Sequence, residues 1–124
     1  MKLTLAARSQ NYIRSYTADT IELTSQRIHS NCLIAPEQVI TDWSADSVVS
    51  LSSSDLQPIF ALQPELVILG TGMRQQFPAA VIRSAFLARK IGFEVMDLGA
   101  ACRTFNVLLG EDRRVVAALL LNKL

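Results

Sequence analysis

Few side chains in this sequence are equipped for covalent or metal chemistry. It holds two cysteines, Cys32 and Cys102, and one histidine, His29. A structural zinc site takes four Cys or His ligands. Only these three exist, with no Cys-x-x-Cys or His-x-x-x-His spacing, so a carboxylate would have to complete the set. No metal and no cofactor are expected. A histidine-dependent triad would have to use His29, which lies in a strand-like run and reads as an ordinary packed or surface imidazole. The cysteines are distant in sequence and read as free thiols of a reducing compartment rather than a disulfide framework.

Two stretches carry candidate binding chemistry. The first is Leu69-Gly70-Thr71-Gly72-Met73-Arg74, an apolar run that enters a glycine turn. Open α/β sheets bind ligands at the carboxyl ends of their strands, and a following helix aims free N–H groups there. Gly70, Thr71 and Gly72 would offer backbone amides and Arg74 a guanidinium for an anion. The dinucleotide fingerprint fails at Gln75, where its third glycine would stand, and no Gly-Lys-Ser/Thr follows, so a plain tight turn is the simpler reading. The second is Ala100-Ala101-Cys102-Arg103-Thr104-Phe105-Asn106. Cys102 in a first helical turn beside Arg103 would have a lowered pKa and nucleophilic character. No general base is recognisable beside it, and a small residue filling a helix–sheet contact is the simpler reading. No catalytic residue is assigned. Arg103, Thr104 and Asn106 would face the glycine turn across a pocket.

The elements that must position these residues can be read from periodicity. Short β-rich runs at 11–16, 20–24, 26–29, 32–35 and 38–43 are too closely spaced for crossovers and predict an antiparallel meander, with a hairpin around Ser30-Asn31. A short helix is expected over 55–62, with Ser54 and Gln57 as its capping box and Pro58 in its first turn. The continuous apolar run 66–69 predicts a strand buried on both faces. A helix over 79–91 follows Pro78, with Val81, Ala85 and Ala88 on one stripe, Ile82 and Phe86 beside it, and Gly92 as its stop. A strand over 93–98, a helix over 100–109 closed by Gly110, and a buried strand over 113–121 complete the order. The turn at 111–114 reads as solvated. Fold class is thus α/β: a three-layer arrangement with a central mixed β-sheet flanked by helices and an N-terminal antiparallel β meander.

Composition sets the outer limits. The chain has 124 residues (13.7 kDa), half of them hydrophobic, with 19% charged and a mean hydropathy of +0.28. One domain over 1–124 is expected, with a core that needs no staples. Twelve Lys and Arg against eleven Asp and Glu give +1, which removes the whole-chain footprint of a nucleic-acid or polybasic membrane binder. The longest apolar run, 115–121, is far short of a membrane span. No secretory signal is evident at the N-terminus, so a cytoplasmic location is expected. Either a monomer or a homodimer fits.

Taken together, Pro64-Glu65-Leu66-Val67-Ile68-Leu69-Gly70-Thr71-Gly72, Gly92-Phe93-Glu94-Val95-Met96-Asp97, Ala100-Ala101-Cys102-Arg103-Thr104-Phe105-Asn106-Val107-Leu108 and Glu111-Asp112-Arg113-Arg114-Val115 resemble a family catalogued as a domain of unknown function. That family spans bacteria and archaea and includes a mitochondrial assembly factor for respiratory complex I. The resemblance covers essentially the whole chain. It implies a compact three-layer α/β fold and no established catalytic activity. The sequence lacks the mitochondrial targeting segment of eukaryotic relatives, which suits a bacterial cytoplasmic member. The leading expectation is a non-catalytic interaction module with protein partners in a membrane-associated complex. The alternative is a binder of, or enzyme for, small anions, with a pocket between the Gly70–Gly72 turn and the Cys102–Asn106 helix start.

Overall fold

The computed structural model describes residues 11–121. The chain forms β1 (Ile13–Tyr16), β2 (Ile21–Leu23), β3 (Arg27–Ile28), β4 (Cys32–Ile34), β5 (Val39–Ile40), α1 (Ser53–Ala61), β6 (Leu66–Thr71), α2 (Ala80–Ala88), β7 (Gly92–Met96), α3 (Leu98–Gly110) and β8 (Val115–Leu120). Strands β1-β2-β3 form a small antiparallel sheet, and a five-stranded sheet has the order β5-β4-β8-β6-β7. Within it β6 runs parallel to β7 and β8, while β4 is antiparallel to β8 and β5. The predicted mixed sheet and antiparallel meander are both present.

The three layers follow from side-chain alternation along the central strands. Val67 and Leu69 of β6, with Val116, Ala118 and Leu120 of β8, pack under α1 and α2 beside Trp43, Leu56, Ile59, Ile82 and Phe86. Their neighbours Ile68, Val115, Ala117 and Leu119 face the other way, toward Leu98, Ala101, Cys102 and Phe105 of α3 and Ile13, Ile21 and Ile28 of the small sheet. Because both faces of the sheet are covered, β6 and β8 read as apolar runs instead of alternating patterns.

Several local expectations are corrected. The hairpin at Ser30-Asn31 does not form, because β3 and β4 belong to different sheets and the chain crosses between layers there. Asn31 anchors that crossing: its buried amide donates to the Ala45 carbonyl (2.7 Å) and accepts from the Leu121 N–H (2.7 Å). Helix α1 starts two residues early. Its cap pairs Ser52 with Asp55, whose carboxylate accepts from the Ser52 N–H (3.0 Å) and hydroxyl (3.2 Å). Pro58 therefore lies inside the helix rather than in its first turn.

Helix α2 is shorter than 79–91, and its buried stripe is Ile82 and Phe86, while Val81 and Ala88 are exposed. Gly92 is not its stop but the first residue of β7. Its missing side chain leaves room for Leu66, whose Cδ1 lies 2.8 Å from where a β-carbon would sit. Gly110 likewise belongs to α3. The 111–114 turn is tied down instead of merely solvated. Glu65 accepts from the Arg114 N–H (2.9 Å) and pairs with Arg113 (3.3 Å), which holds its carboxyl below the usual range.

One edge strand of the large sheet is β7. Two side chains cover its outward carbonyls: Arg83 donates to Phe93 O (3.3 Å) and Gln75 Nε2 to Val95 O (2.9 Å). Such covering removes the acceptors that a further strand would need.

Candidate functional site

The carboxyl end of β6 brings the glycine turn against the start of α3. Gly70 sits in the strand, and a β-carbon there would lie 2.8 Å from Leu119 Cδ2 and 3.0 Å from Ala101 Cβ. The glycine thus permits close approach of α3 to the sheet. Gly72 takes the left-handed conformation (φ 82°), and its carbonyl accepts from the Leu98 N–H at 2.6 Å. The Thr71 hydroxyl lies between the Arg74 and Met96 carbonyls (2.7 and 3.2 Å) and accepts from the Gln76 N–H at 3.1 Å. These polar groups bind the turn to itself and to β7. The N-terminus of α3 is also occupied, since Asp97 Oδ1 accepts from the Ala100 N–H at 2.9 Å. That carboxylate opposes an anion at the same helix end. Arg74 is exposed on the turn.

The second predicted group divides around α3. Thr104 turns toward β7, its hydroxyl 3.4 Å from Met96 Sδ, and so lies on the side of the glycine turn. Cys102, Arg103 and Asn106 instead line a cleft of about 320 Å³ beneath β1, with Tyr12, Ile13, Arg14, Ser15 and Tyr16. Asn106 is already engaged: its carbonyl accepts from Ile13 N–H and its amide donates to Ile13 O, both at 2.9 Å. One asparagine thereby imitates the peptide group of a neighbouring strand at the start of β1. Tyr16 reaches over Gly99, where an added β-carbon would collide with its hydroxyl and fall 3.2 Å from Arg103 Nη1. The β1 side of this cleft had no motif to announce it. Alternating Tyr12, Arg14 and Tyr16 mark a strand edge in sequence, and only the tertiary pairing with α3 makes them a wall.

Cys102 lies in the second turn of α3, past the first-turn amides, and its thiol is pushed up to about 12 by burial, which outweighs the neighbouring Arg103 charge. Cys32 reaches about 12 as well, through burial and then the proximity of Cys102. Both thiols are free and stay protonated at neutral pH. A protonated, buried thiol is a poor nucleophile. His29 is exposed at the rim of the small sheet. Among the described residues no group of three or more His, Cys, Asp and Glu is placed to hold a metal ion, and no helix is long and apolar enough to cross a membrane.

Residues 13–120 match a family model described as a protein of unknown function, DUF498/DUF598. The NADH dehydrogenase [ubiquinone] 1 alpha subcomplex assembly factor 3 of Bos taurus is 32% identical over 111 residues, covering 88% of this chain. The chain spans 60% of that relative's length. A 13 kDa major membrane protein of Francisella tularensis is 33% identical over 70 residues, 56% of this chain and 57% of that protein. A crystal structure of a Bordetella parapertussis protein superposes with a TM-score of 0.83 at 35% identity, covering 94% of this chain and 99% of that one.

Proposed function

Since the chain belongs to the DUF498/DUF598 family of proteins of unknown function, we propose that it acts as a non-catalytic module in the assembly of a membrane-associated protein complex. The observation that carries this reading is the similarity to complex I assembly factors along 88% of the chain. The use of the chemistry-bearing residues supports it. Thr71, Asn106 and Asp97 are spent on backbone contacts, and both thiols are buried and protonated. The reading takes the chain as one domain working in the cytoplasm, with proteins as its partners. Deleting the gene in its own host and resolving membrane complexes on native gels tests it. Assembled NADH dehydrogenase should fall while subassemblies accumulate, and a Cys102→Ala copy should restore it. Undiminished complex in the deletion strain would refute the assembly role.

A second reading is favoured by the cleft beneath β1, which places Arg103 and Asn106 opposite Arg14 and Tyr16. It would take a small anion there, apart from the glycine turn of Gly70, Thr71, Gly72 and Arg74, which does not line that cleft. Phosphate or a small carboxylate should then raise the melting temperature, and Arg103→Ala should erase the shift. No shift with any anion eliminates this reading.

A further inference from the structure

A helix packed on a protein surface ordinarily turns a charged or polar face to water. Helix α2 does not. Ile82 and Phe86 are buried against the sheet, and at 100° per residue the opposite arc holds Ala80, Val81, Ser84, Leu87 and Ala88. None of these is charged. Val81 is 70% and Leu87 74% exposed, and the preceding loop adds Phe77 at 68% and Met73 at 53%.

The charges around this face have one sign. Residues 73–91 contain Arg74, Arg83, Arg89 and Lys90 and no Asp or Glu. The rest of the chain therefore carries a net charge of −3, although the whole is only +1. Asp97, next to the Gly72 turn, is spent on the Ala100 N–H, and Glu65, next to Gly92, on Arg113 and the Arg114 N–H. Two further carboxylates turn elsewhere. Glu94 alternates with Phe93 and Val95, which pack under α2, so it points to the opposite face of the sheet. Asp55 of the adjacent α1 is turned inward onto Ser52 and Ser44. Two cations are held in place at the margins: Arg83 lies over the Phe93 ring and Arg89 over the Phe60 ring.

We propose that the outward face of α2 and the loop before it rest on an anionic lipid surface. Apolar side chains ringed by cations bury the former among acyl chains and pair the latter with headgroups. A second copy is disfavoured as the occupant, because a symmetric pairing through α2 would oppose two sets of four like charges. The inference stands on the surface of α2, so vesicle binding and complex assembly can fail independently.

Co-flotation of the full chain with phosphatidylcholine vesicles, with and without phosphatidylglycerol, tests it. The chain should float only with the anionic vesicles and be released by salt. Arg74→Gln and Lys90→Gln should each weaken binding roughly fivefold. Phe77→Ser with Leu87→Ser should abolish it, while leaving thermal unfolding unchanged because both side chains are exposed. No flotation with phosphatidylglycerol at low salt, or flotation indifferent to these substitutions, would overturn the proposal. So would a stable dimer in sedimentation that Leu87→Ser dissociates, since the face would then belong to a second copy.

Discussion

At position 70 an alanine would meet Leu119 Cδ2 and Ala101 Cβ, both fully buried between β8 and α3. Neither neighbour has free space to move into, so Gly70→Ala should lower stability by about 1–3 kcal/mol in urea denaturation, the usual cost of overpacking. Gly99 contrasts with it. The atom that an added β-carbon would strike is the tip of the Tyr16 side chain, which is part-exposed and can swing outward. The helix gain of alanine over glycine, about 1 kcal/mol, then offsets the displaced tyrosine. Gly99→Ala should therefore change stability by less than about 1 kcal/mol. The thiols make a second residue-scale prediction. Burial raises Cys32 and Cys102 to about 12 in the folded chain from an ordinary thiol value of 9.0, so between those values the folded state holds protons that the unfolded state has lost. Their contribution is complete below about pH 9 and is lost as the pH rises toward 12. Urea midpoints should fall steeply from pH 9 to pH 11, and Cys102→Ala should reduce the slope. An unchanged slope would show that burial of this thiol does not set it.

At the scale of elements, the helix ends show what sequence could and could not reveal. Glycine is the residue expected at a left-handed helix stop, and on that rule Gly92 and Gly110 should end α2 and α3. The left-handed residues at the helix ends are instead Gln63 (φ 53°), Lys90 (φ 58°) and Asp112 (φ 59°), each one position past a helix cap. The geometry is that of the Schellman turn. Lys90 N–H donates to Leu87 O and Ile91 N–H to Phe86 O after α2, and Asp112 and Arg113 repeat the pair on Leu109 and Leu108 after α3. Apolar Ile91 seals the first of these against the core. After α1 the second bond is missing, because Pro64 has no N–H to donate. Each non-glycine residue pays about 1 kcal/mol for its conformation, so Gln63→Gly should raise stability by about that much in chemical denaturation. The strands were more legible, because 66–69 and 115–121 could hide apolar runs only inside a sheet covered on both faces. The site was legible in part. The glycine turn and its place at a strand's carboxyl end follow from local pattern. That Asn106 closes on Ile13, 93 residues away, depends on tertiary pairing that no local pattern carries.

For the whole molecule, the same alternation that built three layers makes them depend on one another. Leu33, Val67, Leu69, Val116 and Ala118 support the α1 and α2 side, and Cys32, Ile34, Ile68, Ala117 and Leu119 the α3 side, from the same three strands. Losing either outer layer would expose an apolar face of the central sheet, so partial unfolding costs nearly as much as complete unfolding. Chains of this size commonly unfold in one cooperative step. The molecule carries its own probes for this. Its single tryptophan, Trp43, lies in the α1 and α2 layer and donates to Asp55 O (2.8 Å), while both cysteines lie in the opposite cluster. Trp43 fluorescence and pulsed thiol labelling, followed through one urea titration, should give coincident midpoints. Labelling of Cys102 at lower urea than the fluorescence change would mean that α3 and the small sheet open as a separate unit. The two clusters would then be independent cores joined by a sheet, and the buried thiols would become reachable without global unfolding.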